Sequence, residues 1–434
     1  MDKIHNHEVA GSIPAPATER KSNYGKRGCF FIVVHLQTSD MKDFNFYAPT
    51  QVAFGKSSEE RLPELIRQYG GTKVLVHYGG QSARKSGLLQ KVFDLLNAAH
   101  LPYIEMGGVV PNPLLSMVYQ GIELCRREKV DFILAVGGGS VIDSSKAIAL
   151  GVPYVGDVWD FWEGKAQPAC CLPVGTILTI PAAGSEMSNS CVVTKDEGLI
   201  KRGIGNNLIR CKFAIMNPER TFTLPPYQTA AGVTDIMMHT MERYFCGHWD
   251  MTLTDAIAEA LLRTVKEAVF EVLKNPEDYR YRAQIMWAGS LAHNDLTECG
   301  LEKDFATHRL EHELSALFGV THGAGLAAMW GSWARYVMKN NVPRFVQFAV
   351  NVMGVQNDFA NPEQTALKGI EAMERFYRAI GMPTSIPELV GRAVTDEEIA
   401  MMVQKASRGG TVKLGAIQVL DTEDMAAIYR MAQA

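Results

Sequence analysis

The chemistry of this chain is concentrated in its imidazoles. Of its eleven histidines, six lie between positions 239 and 322, and the stretch "ATHRLEHELSALFGVTHGAG" (306–325) brings His308, His312 and His322 close together. Upstream, "GVTDIMMHTMERYF" (232–245) holds Asp235 and His239 four positions apart. That spacing puts both side chains on one face of a helix, and His308 and His312 repeat it. One carboxylate with three imidazoles makes a ligand set for a divalent cation. Mixed nitrogen and oxygen ligation suits Fe²⁺ or Zn²⁺ and leaves a coordination position open to substrate. Each histidine taken alone fits better as a core residue bonded to a backbone carbonyl.

A second kind of chemistry is written in glycine. "DFILAVGGGSVIDSSKAIA" (131–149) reads as a strand, a turn of Gly137, Gly138 and Gly139, and a helix opened by Ser140. Glycines let a backbone approach a ligand closely, and free N–H groups at a helix start attract phosphate. The loop departs from GxGxxG and also fits a plain tight β–α turn. Ser140 followed by Asp143 has the spacing of a capping box. A second loop, "YGGQSARKSG" (78–87), follows another strand and contains Gly79, Gly80 and Ser82. Where a free ribose 2′-OH is bound, an acidic residue is expected near such a position. This loop has none, and carries Arg84 and Lys85 instead, which favours NADP(H) over NAD(H), although the same two residues also fit the solvated start of a helix. Two histidine–acid or histidine–histidine pairs in a chain that also has a nucleotide loop turn the reading of the imidazoles towards a metal site.

The elements that must position these groups fall into two halves. Through about residue 222, short apolar runs alternate with helical stretches: strands at 72–80, 102–109 and 131–139, helices at 84–100 and 113–130. Such β-α-β-α order implies a Rossmann-like parallel sheet with helices on both faces. From about residue 223, apolar residues recur almost wholly at helical spacing, and the paired prolines of "TLPPYQTAAG" (223–232) mark the boundary. The expected organisation is therefore an α/β dinucleotide-binding domain over 41–222 and an all-helical metal-binding domain over 223–434. Residues 1–40 lack either periodicity and read as a disordered extension. Met41 reads as the natural start, and peptides from 1–40 detected in protein from the native source would overturn that.

Composition narrows the function. A formal charge of −4, with 21% charged residues, lacks the basic surplus of a nucleic-acid or anionic-membrane binder. No apolar run approaches the roughly 18–20 residues needed to span a bilayer. The eight cysteines form no CxxC pair and read as reduced thiols of a cytoplasmic enzyme.

Taken in order, "GGGSxxD", "TIPAAGSE", "LPP…GVTDxxxH", "THxxEHELSA" and "THGAGL" resemble the iron-containing alcohol dehydrogenases, in the branch of butanol dehydrogenases and broad aldehyde reductases, across residues 41–434. The resemblance implies a dehydroquinate synthase-like architecture, a homodimer, and hydride transfer between nicotinamide and a primary alcohol or aldehyde such as butanol or butanal. It implies Asp235, His239, His308 and His322 as metal ligands, with His312 beside the substrate as a proton relay. Gly137 to Ser140 would take the pyrophosphate, and Asn112, Thr179 and Lys201 would also meet the cofactor. Two departures are Ala183, where relatives carry Thr and gain a hydroxyl contact to the cofactor, and Gly331, where they often carry Pro. Competing readings are a metal- and NAD-dependent lyase of the dehydroquinate synthase type, a zinc glycerol dehydrogenase, and a non-catalytic binder. Trp287, Phe245 and Trp249 stand either around the substrate or in plain helical core.

Overall fold

The computed structural model describes residues 42–246 and 251–434; the expectations for 1–40, Met41 and Trp249 lie outside them. The strands are β1 (Gln51–Phe54), β2 (Val74–Tyr78), β3 (Tyr103–Met106), β4 (Phe132–Gly137), β5 (Val174–Leu178), β6 (Ser190–Lys195), β7 (Ile200–Gly205) and β8 (Phe213–Met216). Six of them form a parallel sheet in the order β1-β8-β5-β4-β2-β3. Because helices cover both faces, β2 and β4 are apolar almost throughout. The two-residue period still sorts their side chains. Phe132, Leu134 and Val136 join Val74 and Val76 in one buried cluster, while Ile133 and Ala135 join Leu75 in the other. Leu88, Val92 and Leu96 of the helix Leu88–Ala98 complete the first cluster. Leu115, Val118 and Ile122 of the helix Leu115–Glu128 complete the second.

The winding places a crevice. The chain leaves β2 for β3 on one side and then crosses back to β4 on the other, so its direction reverses between β2 and β4. In open parallel sheets the space beyond the carboxyl ends of strands at such a reversal is where ligands sit. Both glycine loops follow those two strand ends.

Strands β1, β5 and β8 were not singled out in the sequence but extend the expected parallel sheet, whereas β6 and β7 form an unexpected antiparallel hairpin, closed by a turn in which Gly198 and Leu199 take positive φ. Its strands are as long as any in the main sheet, but β7 ("IKRGIG") alternates too weakly to stand out from a loop. The capping box at Ser140 is also not formed. Gly138 is the N-cap of the helix Gly139–Gly151 and supplies no side chain. The Asp143 carboxylate instead turns inward, accepting from the Ser185 hydroxyl and the Val192 N–H. Lys146, fully buried, holds the same loop by donating to the carbonyls of Ser185, Ser188 and Ser190.

From Pro226 onward the regular elements of the described residues are helices, and strand pairing beyond 218 is confined among them to the bridge between Leu414 and Leu420. Pro226 opens the helix Pro226–Tyr244, where its missing N–H costs no hydrogen bond. Phe245 is wholly buried and stacked on Phe345 at 4.4 Å between centroids, so it belongs to the core. Burial of each such side chain contributes about 1.5–3 kcal/mol. Trp287 packs edge-on against Phe54 and is 40% exposed, away from the crevice. Gly331 has a local reason of its own: a Cβ there would lie 2.1 Å from Oε1 of Glu374, which pairs with Arg335. The described cysteines are all unpaired, and no described helix is long and apolar enough to cross a membrane.

Candidate functional site

A cleft of about 1080 Å³ runs between the carboxyl edge of the sheet and the first helices of the helical half. Its sheet wall carries Gly80, Asn112, Gly138, Gly139 and Ser140. The turn after β4 must be glycine to be this close: a Cβ on Gly138 would meet Ile180 Cγ2 at 2.2 Å, and one on Gly139 would meet the Ala183 Cβ at 3.0 Å. Behind that turn the N–H groups of Gly139 to Ser140 open a thirteen-residue helix towards the cleft, an arrangement that suits a pyrophosphate. Asn112 holds its backbone at φ 56°, an uncommon conformation that fixes how the chain enters the cleft wall. Four residues expected at the cofactor do not line this cleft. Gly137 ends β4 and is buried, and its carbonyl accepts from the Thr179 N–H at 3.0 Å, continuing the β4–β5 pairing. Gly79 and Ser82 flank Gly80 without lining the cleft.

The opposite wall is made by three helix segments. Asp235, His239 and Glu242 share one face of Pro226–Tyr244. His308, Glu311 and His312 come from Ala306–Phe318, and His322 is the first residue of His322–Val337. The side chains converge on Asp235 Oδ1, which lies 3.2 Å from His239 Nδ1, 3.5 Å from His308 Nε2 and 3.7 Å from His322 Nε2. Asp235 Oδ1 and His308 Nε2 are both buried without a hydrogen-bond partner. Buried polar atoms are almost always satisfied, so two orphans facing one another fit a cation held between them. Donor atoms of Asp235, His239 and His308 lie within 4.8 Å of one another, as do those of Glu311, His312 and His322.

Two further carboxylates were missed by the sequence reading. Glu242 accepts from His308 through Nδ1 and from its backbone N–H, and Glu311 accepts from His322 through Nδ1. Each fixes an imidazole so that Nε2 points inward, the arrangement by which carboxylates orient metal-binding histidines. Glu242 extends the Asp235–His239 face by less than one turn, which is the sequence signal that could have found it. His293 was missed as well. Its ring lies 4.0 Å from that of His239 in the cleft, and nothing in "SLAHND" sets it apart.

The electrostatics agree with the geometry. Burial alone would raise the Asp235 carboxyl, but the imidazoles of His239, His322 and His308 hold it well below the usual carboxylate range. Burial alone would lower His308, but Glu242 and Asp235 raise it to about 9, marking a place where positive charge is favoured. Burial pushes His312 well below its ordinary value, with Lys201 and His322 adding to the effect, so it stands neutral. Lys201 lines the cleft, and its ammonium also sits 3.8 Å from Glu311 Oε2, behind His322.

Residues 49–218 match the family described as iron-containing alcohol dehydrogenase, and residues 229–433 match the C-terminal part of the Fe-containing alcohol dehydrogenase family. The chain is 39% identical to the probable NADH-dependent butanol dehydrogenase 1 of Bacillus subtilis, over 90% of this chain and 99% of that one. It is 32% identical to the NADPH-dependent aldehyde reductase YqhD of Escherichia coli, over 91% of this chain and 100% of that one. The crystal structure of NADH-dependent butanol dehydrogenase A from Thermotoga maritima superposes with a TM-score of 0.87 at 36% identity, covering 91% of this chain and 99% of the other.

Proposed function

Because this chain belongs to the iron-containing alcohol dehydrogenase family, we propose that its cleft reduces aliphatic aldehydes such as butanal, and oxidises the matching primary alcohols, with Fe²⁺ and NADP(H). As an enzyme it is an alcohol dehydrogenase, an oxidoreductase; the lyase and glycerol dehydrogenase readings are not favoured. The observation that carries the site assignment is the pair of unpartnered buried atoms, Asp235 Oδ1 and His308 Nε2, facing a glycine-lined helix start across one cleft. Asp235, His239, His308 and His322 are the proposed metal ligands. When bound, the metal supplies Lewis-acid polarisation of a carbonyl oxygen and the nicotinamide supplies hydride.

The chain's own residues do the rest. Gly138, Gly139 and Ser140 bind the pyrophosphate and Gly80 the adenosine end, with Asn112 and Lys201 along the way. Glu242 and Glu311 orient His308 and His322. Gly79, Gly137, Ser82 and Thr179 shape the turns that present these groups. The NADP(H) preference rests on residues 78–87, where Arg84 and Lys85 stand and no carboxylate does. His312, neutral and beside His322 at 5.6 Å between ring centroids, exchanges through its ring nitrogens the proton that the product alcohol gains.

Anaerobically purified protein supplied with Fe²⁺ should oxidise NADPH with butanal faster than NADH, followed at 340 nm, and a chelator should abolish the activity. No oxidation of either cofactor by the metal-loaded protein would overturn the proposal. His312→Ala should lower kcat by about a hundredfold, the low end for general acid–base catalysis, and flatten its pH profile while metal content holds. Unchanged turnover and pH profile would remove His312 from that role.

A further inference from the structure

The cofactor preference has a counterpart in the structure that residues 78–87 do not contain. β3 runs parallel to β2 in a register that puts Glu105 beside Val76, and the Glu105 side chain reaches the loop after β2. Arg84 donates to Glu105 Oε2 at 3.0 Å and to the Tyr78 hydroxyl oxygen at 2.7 Å. Tyr78 O–H in turn donates to the same Glu105 oxygen at 2.8 Å. The Arg84 guanidinium also lies over the Tyr78 ring, 5.5 Å from its centroid. The ring occupies the space that Gly107 leaves open, where a Cβ would meet it at 2.3 Å. The turn that follows β2 is held to the end of β3 by bonds from Gly108 N–H to the Gly79 carbonyl and from Val109 N–H to the Tyr78 carbonyl. Glu105 and Arg84 are therefore fixed together beside Gly80, which lines the cleft.

With the pyrophosphate at the turn after β4, the adenosine of a dinucleotide extends towards the neighbouring strand β2, and its ribose 2′ position meets the loop after that strand. We propose that Glu105 tempers the preference for NADP(H) by competing with a ribose 2′-phosphate for Arg84, so that binding NADP(H) exchanges one ion pair for another. The inference rests on the NADP(H) reading above. Arg84 and Glu105 side chains are about half exposed (50% and 47%), so the exchange is shallow. Glu105 also repels the phosphate directly. Loss of the carboxylate leaves Arg84 with the Tyr78 oxygen alone and free to turn.

The test is calorimetric binding of adenosine 2′,5′-bisphosphate and of 5′-AMP to the metal-loaded enzyme and to Glu105→Gln, Arg84→Met and the double variant. Glu105→Gln should tighten the bisphosphate by roughly fivefold, the upper range for an exposed ion pair, while AMP changes little. In the Arg84→Met background the same substitution should have no more than a small residual effect. An unchanged ratio of the two affinities in Glu105→Gln, or equal tightening of both nucleotides, would overturn the inference. The wild-type ratio judges the NADP(H) preference separately, because that ratio is read before any substitution is made.

Discussion

Replacing His308 by alanine should leave the enzyme without its metal and reduce kcat/KM by about a thousandfold or more, the few kcal/mol of transition-state stabilisation a Lewis acid contributes. The expectation follows from what surrounds the imidazole. His308 is buried, Nδ1 is committed to Glu242, and Nε2 faces Asp235 Oδ1 with no partner of its own. Alanine removes an inward-pointing donor and leaves Asp235, Glu242 and Glu311 as three buried carboxylates with less positive charge to answer them. Metal analysis after desalting should show less than about a tenth of the wild-type content, since removing even an outer partner of a ligand costs 10–100-fold in affinity. Glu242→Gln is the graded comparison. It keeps the ligand but loses the charge that orients it, and should bind metal within that weaker range. A His308→Ala protein that retained one metal per chain would remove His308 from the ligand set, whatever its activity.

How much of this could be read from the chain alone depends on how far apart the partners lie. β2 and β4 announced themselves because a strand buried on both faces needs only its own apolar run. Asp235 with His239, and His308 with His312, were legible because four residues is one helical turn. The groups that complete the site come from further away. Glu242 and His308 are 66 positions apart, and Arg84 and Glu105 are 21 apart on different elements. No periodicity connects such pairs; only the packing of helix against helix, or of β3 beside β2, does. Asp143 shows the converse. Its local spacing from Ser140 suggested a cap, but a buried carboxylate gains more from two tertiary donors, Ser185 and Val192, with the Lys146 charge one turn on in its own helix, than from one N–H at the helix start. The β6–β7 hairpin escaped notice because β7 alternates too weakly to mark the second strand, although Cys191 and Val193 of β6 are buried in the core.

The spacing between two of the three ligand-bearing helices is itself set by one glycine, and that gives the second large effect. Where the helix His322–Val337 crosses Pro226–Tyr244, a Cβ on Gly323 would sit 2.0 Å from the Ala231 carbonyl oxygen and 2.7 Å from its carbon. These are backbone atoms of a helix and cannot turn aside. Ala231 lies one turn before Asp235, and Gly323 directly follows His322, so the contact lies between the two ligands. Gly323→Ala should force the helices apart, cost about 1–3 kcal/mol as overpacking does, and carry His322 away from Asp235. Metal affinity should then fall by roughly 10–100-fold, as when a ligand loses its orientation. Loss of stability alone could be mistaken for this effect, and Gly319 separates the two. It ends the preceding helix at φ +66° with no atom within 4 Å of a Cβ. Gly319→Ala therefore strains the backbone by about 1–2 kcal/mol without moving either helix. Thermal unfolding and metal titration of both variants should show two destabilised proteins, of which only Gly323→Ala has lost affinity for the metal. Equal affinities in the two would mean that the helix crossing does not hold the ligands at their distance.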